Sequence, residues 1–103
     1  MMKQAYKLFF KTLANEARLA ILFSLKMGPK CVMEICEDTG LEQSRVSHNL
    51  KCLTNCGFVS VERRGKNRIY SLNKATIVPL LKLIDHHIAN YRDHMIKCEV
   101  LRE

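Results

Sequence analysis

Ser44 to Leu72, SRVSHNLKCLTNCGFVSVERRGKNRIYSL, restricts the fold most, because it joins a short helix with a hydrogen-bonding face directly to a basic hairpin. Phe58-Val59-Ser60-Val61 and Ile69-Tyr70-Ser71-Leu72 alternate or run apolar with β-branched and aromatic residues. They flank the turn sequence Arg63-Arg64-Gly65-Lys66-Asn67, a pattern that predicts two antiparallel strands. Ahead of them, a helix is predicted from about Gln43 to Asn55, ending at Gly57. Successive residues turn by about 100°, so Val46, Leu50 and Leu53 share the face that locks this helix into a core. The opposite face carries Ser44, His48 and Lys51, with Gln43, Arg45 and Ser47 near the N-terminal end.

The remaining elements are helical. Ala5, Phe9 and Thr12 or Leu13 recur at helical spacing between about Lys3 and Ala14, and Asn15 before Glu16 predicts an N-cap for a second helix. Leu19, Ala20, Ile21, Leu22 and Phe23 make that second helix apolar nearly all round, as a central buried helix would be, and it ends near Gly28-Pro29. A third runs from about Val32 to Thr39 and is closed by Gly40. Asn73 is expected to cap a last helix reaching about Val100. In it Ile77, Leu81, Ile84, Ile88, Tyr91, Met95 and Cys98 form a near-heptad stripe, which suits a seam between two subunits or packing on its own domain. The order of elements is that of a winged helix-turn-helix, mainly α with one small β-hairpin. Residues 1–103 are expected to form one domain, dimeric through the first and last helices, since a second copy would add burial to a chain this short.

Charge points the same way. Seventeen Lys and Arg against ten Asp and Glu leave the chain at +7, a balance that favours polyanionic partners. Arg63, Arg64, Lys66 and Arg68 cluster at the predicted loop tip, placed to meet DNA phosphates, while Gln43, Ser44, Arg45, Ser47, His48 and Lys51 suit base edges and phosphates in a major groove. Lys3, Lys7 and Lys11 interrupt the N-terminal apolar runs, so no secretory signal is expected there, and no run approaches the length of a membrane span. The expected location is cytoplasmic. Five cysteines in a reducing compartment argue for buried thiols, metal ligands or redox-active groups rather than structural disulfides.

Leu13-Ala14-Asn15-Glu16-Ala17-Arg18-Leu19-Ala20-Ile21-Leu22, Val46-Ser47-His48-Asn49-Leu50-Lys51, Cys56-Gly57-Phe58-Val59 and Gly65-Lys66-Asn67-Arg68-Ile69-Tyr70-Ser71-Leu72 together resemble the ArsR/SmtB family over almost the whole chain. The resemblance implies a homodimeric winged-helix repressor, released from double-stranded operator DNA when an effector binds, most often a metal ion. Glu42 stands where the family usually has Ser at the start of the reading helix, a weaker cap.

Cys52 and Cys56 lie one helical turn apart, so both sulfurs face the same way and suit a soft ion. The alternative is two small packed side chains. His48 to Gly57 is similar to the cadmium- and lead-sensing CmtR branch of the family, which implies a third thiolate from the partner's C-terminal region. Cys98 is the candidate, and a cadmium, lead or zinc ion is the implied effector. Asp85 and His87 resemble half of the family's last-helix zinc or nickel site, whose other ligands would be the partner's residues 98 and 101. Here those are Cys98 and Leu101, so Glu99, His94 or water would have to complete it. At the family's third location Cys31 is present, but Met33 stands at the second cysteine position and Cys36 is poorly spaced for the same ion.

Neither a catalytic Ser-His-Asp or Cys-His order nor a glycine-rich phosphate loop is present, so the chain is not expected to be an enzyme. A redox or persulfide-responsive repressor acting through cysteine modification, or a DNA-binding regulator without ligand sensing, are the rival readings.

Overall fold

The computed structural model describes residues 2–102, which fall into two compact units dividing between Asn73 and Lys74. The first holds α1 (Met2–Leu13), α2 (Glu16–Leu25), α3 (Val32–Thr39), α4 (Gln43–Asn55), β1 (Val59–Arg64) and β2 (Asn67–Leu72); the second holds α5 (Ile77–Ile96).

The first unit is built round α2, which packs on α1, α3, α4 and β2. Ile21, Leu22, Ile35, Val46, Leu50 and Leu53 are its most deeply buried side chains, and Ala17, Leu25, Phe58, Val59 and Leu72 complete the apolar centre. Asn15 caps α2 as its type suggests: it lies in extended backbone, and its side-chain oxygen accepts from the Arg18 N–H at 3.0 Å. Gly40, at φ 76°, ends α3 in the left-handed conformation that a side chain disfavours. Burial of α2 is one-sided rather than all round, however. Leu19 and Ala20 are half-buried and Phe23 is exposed, with the Lys26 ammonium 5.5 Å from its ring centroid.

The hairpin is longer and its turn tighter than the apolar runs suggested. Val59 pairs with Leu72, and the register continues to Arg63 with Arg68 and Arg64 with Asn67, leaving Gly65 and Lys66 as the loop. Gly65 sits at φ 62°, and no other residue type among those described has positive φ, the pattern of a two-residue turn with glycine first. Arg63, Arg64, Asn67 and Arg68 therefore belong to strands. Lys30 adds one antiparallel bridge to β2: its N–H donates to the Tyr70 carbonyl at 3.0 Å, and the Tyr70 N–H donates back at 2.8 Å.

In the second unit, two expectations are corrected. Thr76, not Asn73, precedes α5. Asn73 instead closes the hairpin base, its side-chain amide donating to the Gly57 carbonyl at 2.9 Å and its backbone N–H to Phe58 at 3.0 Å. Pro79 supplies the reason: it lacks an N–H and must lie in the first turn, which a helix starting after Asn73 would not allow. Further along, α5 stops at Ile96, and Cys98 lies in a following turn where its N–H reaches the Met95 carbonyl at 3.2 Å. Ile77 and Leu81 of the stripe are buried, whereas Ile88, Tyr91 and Met95 are exposed.

Candidate nucleic-acid interface and thiol pair

Residues of α4 divide by face. Val46, Leu50 and Leu53 have essentially no exposed surface, while Gln43, Ser44, Arg45, Ser47, His48 and Lys51 are all exposed. Glu42 occupies the N-cap without a side-chain bond.

A polar residue among the apolar ones holds this helix at its angle. Asn49 is 7% exposed; its amide donates to the Arg45 carbonyl at 2.9 Å, and its oxygen accepts from Arg18 Nη1 at 3.4 Å. Arg18 also donates from Nε to the Thr12 carbonyl at 2.8 Å and from Nη2 to the Lys11 carbonyl at 3.1 Å. One guanidinium thus satisfies the open carbonyls at the end of α1 and ties them to the reading helix. The signal for Asn49 was its position beside Leu50 on the buried face, where an amide needs a partner; nothing local named Arg18.

Lys30 plays a similar part beside the wing. Its ammonium donates to the Ser24 carbonyl, to Ser24 Oγ at 3.2 Å and to Asp38 Oδ2 at 3.0 Å, while its backbone holds Tyr70. Bonds from Ser24 first, and then from Lys30, keep the Asp38 carboxyl below its ordinary range.

On the wing, Arg63, Arg64, Lys66 and Arg68 are all exposed. Arg63 and Arg68 stand directly opposite each other, an arrangement of like charges that costs stability unless an anion lies across it. Arg64 is 3.6 Å from Glu62 in an exposed pair of little energetic weight.

Cys52 of α4 and Cys56 at its C-cap border one hollow. Cys52 is half-buried and Cys56 exposed. Burial, and then the adjacent Cys56 thiol, push the Cys52 thiol up, with the Arg18 guanidinium pulling the other way. That hollow is open and shared with His48, Lys51 and Asn55. Cys98 is half-buried in the turn after α5. Among the described residues, no three His, Cys, Asp or Glu side chains of one chain gather in a metal-holding cluster.

Elsewhere the candidate ligands have other surroundings. His87 stacks on Tyr91 with ring centroids 4.8 Å apart, and His94 meets Tyr91 edge-on at 5.8 Å. The Asn90 amide lies 3.4 Å from His86 Nε2. Cys31 caps α3, with its backbone N–H donating to Glu34 Oε1 at 3.0 Å, and Cys36 lies within that helix.

Fold and exposed polar helix together define a winged helix-turn-helix domain of the nucleic-acid-binding class. Residues 15–61 match the arsR family of bacterial regulatory proteins, and the chain belongs to that family. Over 77 residues it is 40% identical to the transcriptional regulator NmtR of Mycobacterium tuberculosis, covering 75% of this chain and 64% of that protein. A probable mercury resistance operon repressor of Streptomyces lividans is 39% identical over 73% of this chain and 60% of its own length. The chain therefore spans a little under two thirds of these two relatives. The arsenical resistance operon repressor of Bacillus subtilis is 34% identical, covering 74% of this chain and 73% of that protein. Among solved structures, M. tuberculosis Rv0081 superposes with a TM-score of 0.83 at 33% identity, over 92% of this chain and 96% of that one. The homodimeric winged helix-turn-helix DNA-binding domain Mb0332 of Mycobacterium bovis gives 0.81 at 28% identity, over 90% and 86%.

Proposed function

We propose that the chain is a cytoplasmic, homodimeric transcriptional repressor whose hold on double-stranded operator DNA is relieved by a soft divalent cation: cadmium, lead or zinc. The placing of Cys52 on α4 and Cys56 at its C-cap around one hollow is the observation that carries this reading. Two thiolates suit a polarisable cation far better than a hard one, and a third donor is needed. Cys98 of the partner subunit is that donor. The names of the S. lividans and B. subtilis relatives, which refer to mercury and to arsenicals, support an effector of this kind. Because a thiol must lose its proton to bind as a thiolate, cation uptake strengthens as pH rises towards the raised Cys52 range.

Dimerisation is supported by large apolar side chains left in the open: Met2, Tyr6 and Phe10 on α1, and Ile88, Tyr91 and Met95 on α5. Surfaces of this kind mark interfaces. No described helix is long and apolar enough to cross a membrane. On the DNA side, Gln43, Ser44, Arg45, Ser47 and His48 present donors and acceptors to base edges, and Arg63, Arg64, Lys66 and Arg68 meet the backbone. The last-helix alternative, Asp85 and His87 with Cys98 of the partner subunit, would require His87 to leave its stack on Tyr91.

The test is fluorescence anisotropy with reduced protein and a duplex selected from a random pool, alone and then with cadmium, lead, zinc, nickel, arsenite or a persulfide donor. Release by cadmium or lead, with ultraviolet thiolate-to-metal bands lost in Cys52→Ser, Cys56→Ser and Cys98→Ser, is the expected result. Release by the persulfide donor alone would replace the cation with cysteine modification. Bands undiminished in all three variants would place the ion elsewhere.

A further inference from the structure

A second concavity, a cleft of about 510 Å³, opens between α4 and the hairpin. Ser47, Lys51 and Thr54 line it from the helix, and Arg68 and Tyr70 from β2. Lys51 and Arg68 are exposed and cationic, and neither makes an ion pair or side-chain hydrogen bond with another described residue. Thr54 is the more telling neighbour. Helical threonines commonly satisfy their hydroxyl by donating to the carbonyl one turn back, as Thr12 does to Leu8 and Thr39 to Ile35, each at 2.8 Å. The Thr54 hydroxyl oxygen is buried and has no hydrogen-bond partner among the described residues. Such a group is disfavoured unless something else accepts its proton.

The position of the cleft indicates what that acceptor is. With a reading helix in the major groove and a wing over the neighbouring minor groove, the wall between the two grooves is one sugar–phosphate strand. That strand has to pass between helix and wing. We infer that the cleft seats a single phosphodiester of the bound duplex, flanked by Lys51 and Arg68 and hydrogen-bonded by the Thr54 hydroxyl. This rests on the proposed DNA-binding function and sharpens it. Lys51 and Arg68 become backbone clamps that carry no sequence information, leaving discrimination to residues nearer the start of α4. The hollow beside the thiols shares Lys51 and Asn55 with this cleft, so the two concavities have a common wall.

The experiment is a neutral-phosphate scan with the full chain, reduced and metal-free. Duplexes selected from a random pool are remade with one methylphosphonate at each successive backbone position, and affinities are measured for wild type and for Lys51→Ala/Arg68→Ala. One position per half-site should weaken wild-type binding about tenfold, the effect of losing a charge-assisted contact, yet leave the double variant nearly unchanged. Thr54→Val should also weaken binding about tenfold while the free protein melts at the same or a higher temperature, a combination a purely structural role would not produce. Penalties that persist undiminished in the double variant at every position would overturn the assignment. So would unaltered binding by Thr54→Val. If inorganic phosphate, substituted for chloride at equal ionic strength, stabilises the free wild type but not Thr54→Val while the scan is flat, the cleft holds a free anion and the DNA assignment is wrong. Failure to select any duplex would instead sink the DNA-binding proposal itself.

Discussion

α4 and α5 carry similar sequence patterns and meet opposite fates. Both place apolar residues at steps of three and four, and both mix histidine with nearby cysteine. In α4 the stripe is consumed within its own unit, with Val46, Leu50 and Leu53 at 0%, 1% and 0% exposure. Along α5, Ile88, Tyr91 and Met95 remain 39%, 50% and 42% exposed. Periodicity therefore announces that a face will be covered without saying by which molecule. What distinguishes α4 is the ring of elements around it, since α2, α3 and β1 all contact it.

The contrast can be broken by mutation. Leu50→Ala should cost about 2–5 kcal/mol of unfolding free energy through lost burial and a cavity, measured by urea titration. Ile88→Ser should instead act on association, raising the dimer dissociation constant about tenfold or more in sedimentation equilibrium, since burying such a side chain is worth about 1.5–3 kcal/mol. If Ile88→Ser leaves association unchanged, the exposed stripe of α5 is not a subunit seam.

Smaller effects sharpen what orients α4. Arg18→Ala strands Asn49 and the last carbonyls of α1, at about 1–3 kcal/mol, and should broaden NMR resonances of α4 more than those of α5. An unaltered melting temperature would mean that this guanidinium is ornamental. Asn15→Ala removes the cap of α2 and should cost about 1 kcal/mol, whereas Glu42→Ala, at a cap with no side-chain bond, should be close to neutral by the same titration.

The weakest prediction concerns pH. The Cys31 backbone N–H, then its thiol, hold the Glu34 carboxyl below its ordinary range, and Asp38 is lowered by Ser24 and Lys30. Groups depressed in the folded state contribute stability above the unfolded carboxylate range and lose it as pH falls through the folded values. Stability should thus decline on acidification through and below that range. Glu34→Gln should flatten part of the decline, and an identical pH profile for the variant would remove Glu34 from the account.

Local pattern was enough to delimit α3 and α4, because Gly40, Gly57 and a clean apolar stripe are signals a few residues long. The same holds for the adjacency of Cys52 and Cys56, which follows from helical pitch alone. The features that stayed hidden depend on distant partners. Arg18 meets Asn49 thirty-one positions away, and Lys30 meets Tyr70 on the outer edge of β2, forty positions along the chain. Asn73 illustrates a different failure. Asparagine suits a helix cap and a turn equally, and the proline six residues later, which decides between them, acts through a missing N–H that apolar periodicity does not register. Within the candidate site, the exposed polar face of α4 and the exposed basic hairpin were visible in residue types. The orphaned Thr54 hydroxyl was not, since threonine in a helix ordinarily looks after itself.

Lys51 and Asn55 form a party wall between the thiol hollow and the cleft proposed to seat a phosphate. If an ion in the hollow lowers DNA affinity, as proposed, the antagonism runs both ways: whatever factor the ion removes from DNA affinity, DNA must remove from ion affinity. The concentration at which the regulator responds is then not a constant of its cysteines. It rises with how tightly the operator is gripped, so a stronger operator would make the same protein a less sensitive detector.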